Sequence, residues 1–186
     1  VVQWCGVVTD LTEQVAAKQR LQLLQQLNEA LRDELSADAI LSTTTELLGR
    51  ALGASRVCYA EAQEPGDDLM SIAHGWTDGT TSALPPRLRH SSLGQAVVDH
   101  HRRGLTLVAD NVVEHPLMSP EVAAACQSVE YAAGVDVPLV KEGRLVAFLS
   151  VHQSSPRKWT PHEVGLIEEV AERTWAALER GRAEQD

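Results

Sequence analysis

The chain has no CxxC pair, no apolar run of membrane-spanning length and no cluster of lysine and arginine. Each absence removes a class of protein. Its three cysteines, Cys5, Cys58 and Cys126, are widely spaced and odd in number. Neither a disulfide framework nor a zinc site is therefore indicated. They read as small core residues in a reducing compartment, and a cytoplasmic location is expected. A bilayer-spanning helix needs about 20 consecutive apolar residues. Nothing approaches that and no signal peptide is visible, so this segment is expected to make no membrane contact. The 16 basic residues are scattered among 26 acidic ones, for a formal net charge of −10. Neutralising phosphates needs clustered basic side chains, so nucleic acid is not an expected partner. His100 and His101 are adjacent on a predicted helix and diverge by about 100°. They are expected on its exposed end beside Arg102 and Arg103, and no metal site is expected. An initiator Met is missing as well, and the chain is expected to be a piece of a longer protein.

What is present is a mixture of strands and helices. VVQWCGVVT (1–9) reads as a strand. Asp10 or Thr12 then caps a helix running to about Glu34, since their oxygens accept the free N–H groups of a first turn. Leu24, Leu27 and Leu31 recur on one face of it, with Leu21 beside them, amid Gln, Lys, Arg and Glu. So narrow a leucine seam is what a two-stranded coiled coil uses. Ser36 caps a second helix over 37–52, and Gly53 follows where a left-handed residue is expected. SRVCYAEA (55–62) and LMSIAHGW (69–76) are strands. Loop 77–89 contains two adjacent prolines that argue against regular structure. Ser92 and Gln95 form the pattern of a capping box opening a helix that Gly104 closes. LTLVAD is a strand, Ser119-Pro120 starts a short helix, and GVDVPLVKEGRLVAFLSVHQ (134–153) is a hairpin. Thr160, Pro161 and Glu163 mark the start of a long final helix, whose stripe includes Ile167, Thr174 and Leu178. Strands and helices without regular alternation mean α+β with a mostly antiparallel sheet.

Residues 36–180 resemble a GAF domain, a relative of the PAS fold. The resemblance is carried by ASRVCYAE (54–61), GLTLVADNVVEHP (104–116), VPLVKEGRLVAFLSVHQ (137–153) and WTPHEVGLIEEVAERTWAALER (159–180). The last block is similar to GAF domains of bacterial sensor histidine kinases. WCGVVTDLTE (4–13) resembles the final strand and Asp-x-Thr signature of a PAS domain. The resemblance implies a GAF-type sheet with long N- and C-terminal helices packed on one face. It also implies the end of a PAS domain at 1–10, a signalling helix at 11–35, and the start of a linker to an output domain at 181–186. A sensory domain of a two-component protein is the implied function, relaying a signal through dimerising helices. Leu24, Leu27, Leu31, Ile167, Thr174 and Leu178 are the expected dimer contacts. A ligand-blind dimerisation module and a free methionine sulfoxide reductase are the alternatives.

A GAF domain implies a pocket, mostly apolar with a few fixed polar groups, between the sheet and the loops over it. The candidates on or beside strands are Tyr59, His74, Trp76, Asp110, Tyr131, Asp136 and His152. The Asn-Lys pattern of cyclic-nucleotide GAF domains is absent, because Val112 follows Asn111. The Cys-His pair of bilin-binding relatives is absent too, because Gln127 follows Cys126. Neither ligand is expected. The reductase needs a nucleophilic thiolate, and Cys58 has no cationic helper next to it on its strand. No phospho-acceptor histidine motif or glycine-rich ATP lid is present. This segment is expected to carry no catalytic chemistry, and any kinase parts are expected downstream of it.

Overall fold

The computed structural model describes the backbone of residues 2–185 and the side chains of residues 14–184 except Ala73. Helix α1 (Val2–Leu31) leads into α2 (Ala37–Leu52), then strands β1 (Arg56–Ala62), β2 (Leu69–Thr77) and β3 (Arg87–Arg89). A 3₁₀ turn (His90–Leu93), α3 (Gln95–Arg102), β4 (Leu107–Ala109) and α4 (Pro120–Ser128) follow. The hairpin β5 (Ala133–Lys141) and β6 (Arg144–Gln153) and the long α5 (Pro161–Gln185) complete the chain. The strands form one six-stranded antiparallel sheet in the order β3-β2-β1-β6-β5-β4. The fold is α+β, with helices α1, α2 and α5 layered on one face of the sheet.

Strand parity decides which residues face which layer, because successive side chains point to opposite faces. Val57, Tyr59, Val135, Val137, Leu149 and Val151 face the helices and share one core with Leu27, Ile40, Leu48, Ile167 and Leu178. Trp76 joins this layer above Gly49, where a Cβ would stand 2.1 Å from the indole. The opposite face carries Cys58, Ala60 and Phe148, covered by Leu84 and Leu88. A further cluster of Val97, Leu107, Val112, Cys126 and Tyr131 sits under α3 and α4.

Local signals place most helix ends. Ser36 Oγ accepts from Ala39 N, and Gly53 adopts φ +56°. Ser119 Oγ accepts from Val122 N. Thr160 and Glu163 make both halves of a capping box, Glu163 N to Thr160 Oγ1 at 3.2 Å and Thr160 N to Glu163 Oε2 at 2.8 Å. The hairpin turn is Glu142-Gly143, both at positive φ.

Three expectations are corrected, and the leucine seam is placed. Residues 2–9 run as helix continuous with the one after Asp10. Helix satisfies its own backbone groups, whereas a strand here has no partner in the sheet. α3 opens at Gly94 rather than Ser92, whose hydroxyl is turned back onto Arg89 O and so cannot cap the next turn. β3 follows directly on the two prolines. It needs only three residues, and Pro86 O accepts from Ile72 N at 2.8 Å as the pairing begins. Finally, Leu24, Leu27, Leu31, Ile167, Thr174 and Leu178 are all buried within the chain. α1 lies against α2 and α5 of its own chain, and its leucine seam is buried there.

Candidate ligand pocket

A cavity of about 310 Å³ lies between the sheet and its cover. Its floor is Cys58 of β1, Asp136 of β5, and Phe148, Ser150 and His152 of β6. Its walls come from loop 84–93, α4 and Tyr131. The register builds the floor. Ser150 is paired with both Cys58 and Asp136, and His152 with both Arg56 and Gly134. Partners directly across an antiparallel pair share a face. Two adjacent rows of three residues therefore cross β1, β6 and β5 on the cavity side.

Polar chemistry is concentrated at one end. Arg56 is almost wholly buried, at 2% exposure. Its Nε donates to His152 Nδ1 at 3.1 Å, and its two terminal nitrogens donate to Ser82 O and Val129 O, each at 2.8 Å. One guanidinium thus ties β6 to both cover segments. Because His152 Nδ1 accepts, the neutral ring carries its proton on Nε2, facing Asp136. His152 Nε2 is 3.8 Å from Asp136 Oδ1, close enough to favour its charge but too long for a hydrogen bond. Tyr131 OH donates to Asp136 Oδ2 at 3.4 Å. Asp136 Oδ1 is buried and has no hydrogen-bond partner.

Burial raises the Asp136 pKa, but the facing His152 and His101 rings and Ser150 outweigh it and hold the carboxyl below its usual range. Burial lowers the His152 pKa against the pull of Asp136, leaving the ring neutral. The end of the cavity therefore holds a carboxylate and a neutral imidazole. Tyr131 stacks on His152 with ring centroids 4.0 Å apart, and burial, then the charge of Asp136, raises its pKa.

Gly134 makes that stack possible. A Cβ there would stand 2.5 Å from the Tyr131 ring and 2.7 Å from Val151 O. Gly134→Ala is expected to destabilise the fold by about 1–3 kcal/mol, the range for overpacking. It should also unstack Tyr131, readable as a shift in the His152 ring resonances by NMR; unchanged resonances would count against the stack.

Beneath the cover, His90 and His101 are buried with Nε2 and Nδ1 3.1 Å apart, against Phe148. Burial, then the neighbouring His101, pushes the His90 pKa down to about 4, and burial also lowers that of His101. The unfolded chain therefore binds more protons between about pH 6.5 and 4, and stability falls as pH drops through that window. Urea midpoints should decline from pH 7 to pH 4.5, and His90→Gln should flatten the decline. A slope unchanged in His90→Gln would remove this pair as the cause.

The structure brings Tyr131, Asp136 and His152 together at the cavity and places the other expected residues elsewhere. Tyr59 points into the helix layer, its parity opposite to that of Cys58. A bulge after Tyr59 pairs it with His74, and Val57 with Trp76, which puts both β2 residues on the helix side. His74 donates to Asp38 of α2 at 3.0 Å, and Trp76 packs on α2. Asp110 is an exposed clasp, accepting from Trp159 N on Oδ1 and from Arg157 N on its carbonyl. His101, expected at the surface, is fully buried because α3 turns that side toward the sheet. Sequence reading passed over Arg56, Ser150 and Phe148, although alternation from His152 back along β6 points to the last two.

Residues 36–178 match the family model for the GAF domain. The chain belongs to the GAF domain family. GAF domains are in general sensory modules, without catalysis. No curated protein is significantly similar to the chain in sequence. Among solved structures it is similar to a free methionine-R-sulfoxide reductase from Neisseria meningitidis in complex with its substrate, at TM-score 0.72 and 21% identity, over 91% of this chain and 93% of that one. It is also similar to a phycoerythrobilin-bound GAF domain from a cyanobacterial phytochrome, at TM-score 0.75 and 14% identity, over 90% and 98%. A far-red absorbing protein with bound biliverdin matches at TM-score 0.74 and 20% identity, over 86% and 99%. At these identities the likeness extends to the fold alone.

The cysteines of this GAF domain are poorly suited to nucleophilic chemistry. Burial, then the charge of Asp136, pushes the Cys58 thiol up to about 12 and the Cys126 thiol up to about 11. Both are therefore protonated near neutral pH, where a thiolate is the reactive form. The side chain of Cys5 lies outside the described residues. Among the described residues, no group of three or more His, Cys, Asp or Glu is placed to hold a metal ion, and no helix is long and apolar enough to cross a membrane.

Proposed function

We propose that this GAF domain is a small-molecule sensor within a bacterial signal-transduction protein. The supporting observation is the apolar cavity of about 310 Å³ with a buried, unpartnered carboxylate oxygen at one end. Its volume falls at the low end of the range for ligand pockets. The exposed liners Pro85, Ser92, Ala125 and Ser128 mark its mouth.

The same three strands carry the cavity floor on one face and the helix layer on the other. A ligand that draws Asp136 and the cover together alters the strand positions on which α2 and α5 rest. It can bias two helix packings only by its difference in affinity for them, typically about 1–3 kcal/mol. In this reading α1 and α5 connect the sensor to its neighbours in a cytoplasmic homodimer, with a PAS domain upstream and a histidine kinase output downstream. Their buried seam leaves Val15 and Leu21, 54% and 58% exposed, as the apolar residues available to a second copy.

Native mass spectrometry of the protein purified from its own host tests the sensor reading. The wild type is expected to carry a bound small molecule. Leu84→Trp, which fills the cavity from a loop, should lose it. Equal retention by Leu84→Trp, or no bound mass in the wild type, would favour a ligand-blind dimerisation module.

A further inference from the structure

The polar end of the cavity has an acceptor, and its lining has no lysine or arginine. Asp136 is 6% exposed; Tyr131 donates to one carboxylate oxygen, and the other has no hydrogen-bond partner. His152 Nε2 stops 3.8 Å short of it. An ionised carboxylate oxygen held from water without a donor is an expensive arrangement, and a bound donor relieves it. The nearby Arg56 guanidinium is turned to partners within the chain, one bond from each of its three nitrogens, and it does not line the cavity. No lysine or arginine lines the cavity. An anionic ligand would meet the Asp136 charge after losing its own hydration, with no lysine or arginine on the lining to offset the two costs. A purely apolar ligand would seal the oxygen off unpaired.

We propose that the cavity binds a small organic cation, a primary or secondary ammonium on an apolar body, whose N–H donates to Asp136 Oδ1. This rests on the reading of the cavity as a ligand pocket. The hydroxyls of Ser150 and Tyr131 lie on the same lining and supply acceptors for the remaining N–H groups. Leu84, Leu88, Leu93, Val122, Val129 and Phe148 surround the apolar body. Charge-assisted hydrogen bonds are about twice as strong as neutral ones, so the ammonium sets specificity and the apolar walls add affinity.

The test is a ¹H–¹⁵N NMR titration of the whole chain with three probes of one shape: 2-phenylethylammonium, propylbenzene and 3-phenylpropionate. The ammonium is expected to shift cavity amides, including those of Asp136 and Ser150, and to bind at least tenfold tighter than either comparator. Asp136→Asn should weaken the ammonium at least tenfold and leave propylbenzene unchanged; the variant's own spectrum reports whether it is folded. The comparison of probes on the wild type requires no variant at all. Equal or tighter binding of propylbenzene or 3-phenylpropionate would overturn the ligand class and leave the pocket standing. Unchanged ammonium affinity in folded Asp136→Asn would do the same. If none of the three probes perturbs cavity amides, this inference and the pocket reading fall together.

Discussion

Arg56→Met is expected to lower the stability of the chain by about 2–4 kcal/mol and to loosen both segments of the pocket cover. Methionine refills much of the buried volume, so the loss reports hydrogen bonds rather than a hole. Three acceptors lose their donor: His152 Nδ1, Ser82 O and Val129 O. Each unpaired buried group costs about 1–3 kcal/mol. Two of these bonds are only partly buried, and burial already lowers the Arg56 pKa, so relief of that desolvation offsets part of the loss. The same substitution frees His152 to change tautomer, because nothing then fixes the proton on Nε2. Urea denaturation gives the stability change. Amide exchange in loop 78–86 and at the end of α4 gives the loosening, since low local stability shows as fast exchange. A loss under 1 kcal/mol with unaltered exchange would mean that Arg56 is not the clasp of the cover.

The second large effect lies on the opposite side of the sheet. Leu27→Ala is expected to destabilise the folded chain by about 2–5 kcal/mol, the range for truncating a buried leucine. Leu27 is 1% exposed and packs in the cluster that contains Ile40, Leu48, Ile167 and Leu178. Leu21, 58% exposed on the same helix, provides the contrast. Leu21→Ala should change the unfolding free energy by less than about 0.5 kcal/mol. Sedimentation separates the two roles, since Leu27→Ala should leave the oligomeric state of the folded protein as it was. Unaltered stability in Leu27→Ala, together with a weaker self-association, would restore the seam to the interface between copies.

These two residues show where sequence reading reaches and where it stops. The 3-4 spacing of Leu24, Leu27 and Leu31 correctly marks an apolar face, but periodicity does not say whose surface covers it. Ala37–Leu52 and the final helix, far apart in sequence, fold back to cover it. The hairpin raises the same question in another form. Alternation along 134–153 shows that each strand has two faces, and both turn out to be covered. Val135, Val137, Leu149 and Val151 meet the helices, while Asp136, Ser150 and His152 floor the cavity.

Asp136 and His152 were legible as polar residues inside apolar strands. Tyr59, His74 and Trp76 carry the same signal and lie on the wrong face, Tyr59 by its alternation with Cys58 and the two β2 residues because a single bulge between β1 and β2 sets their parity. Arg56 reads as a charged residue at a strand start, where solvent exposure is the ordinary outcome. Its burial depends on acceptors 26, 73 and 96 positions away.

The sequence by itself determined the α+β class, the family, most helix caps and the hairpin turn. The class, the caps and the turn depend on residues within a turn or two of one another and on runs of fixed period, and the family on the resemblance of whole segments. Only the tertiary structure decided which leucines are core, which strand face holds the cavity, and that one oxygen of Asp136 is left without a donor. Those outcomes depend on register and long-range packing, in which a shift of one residue exchanges the faces of a strand.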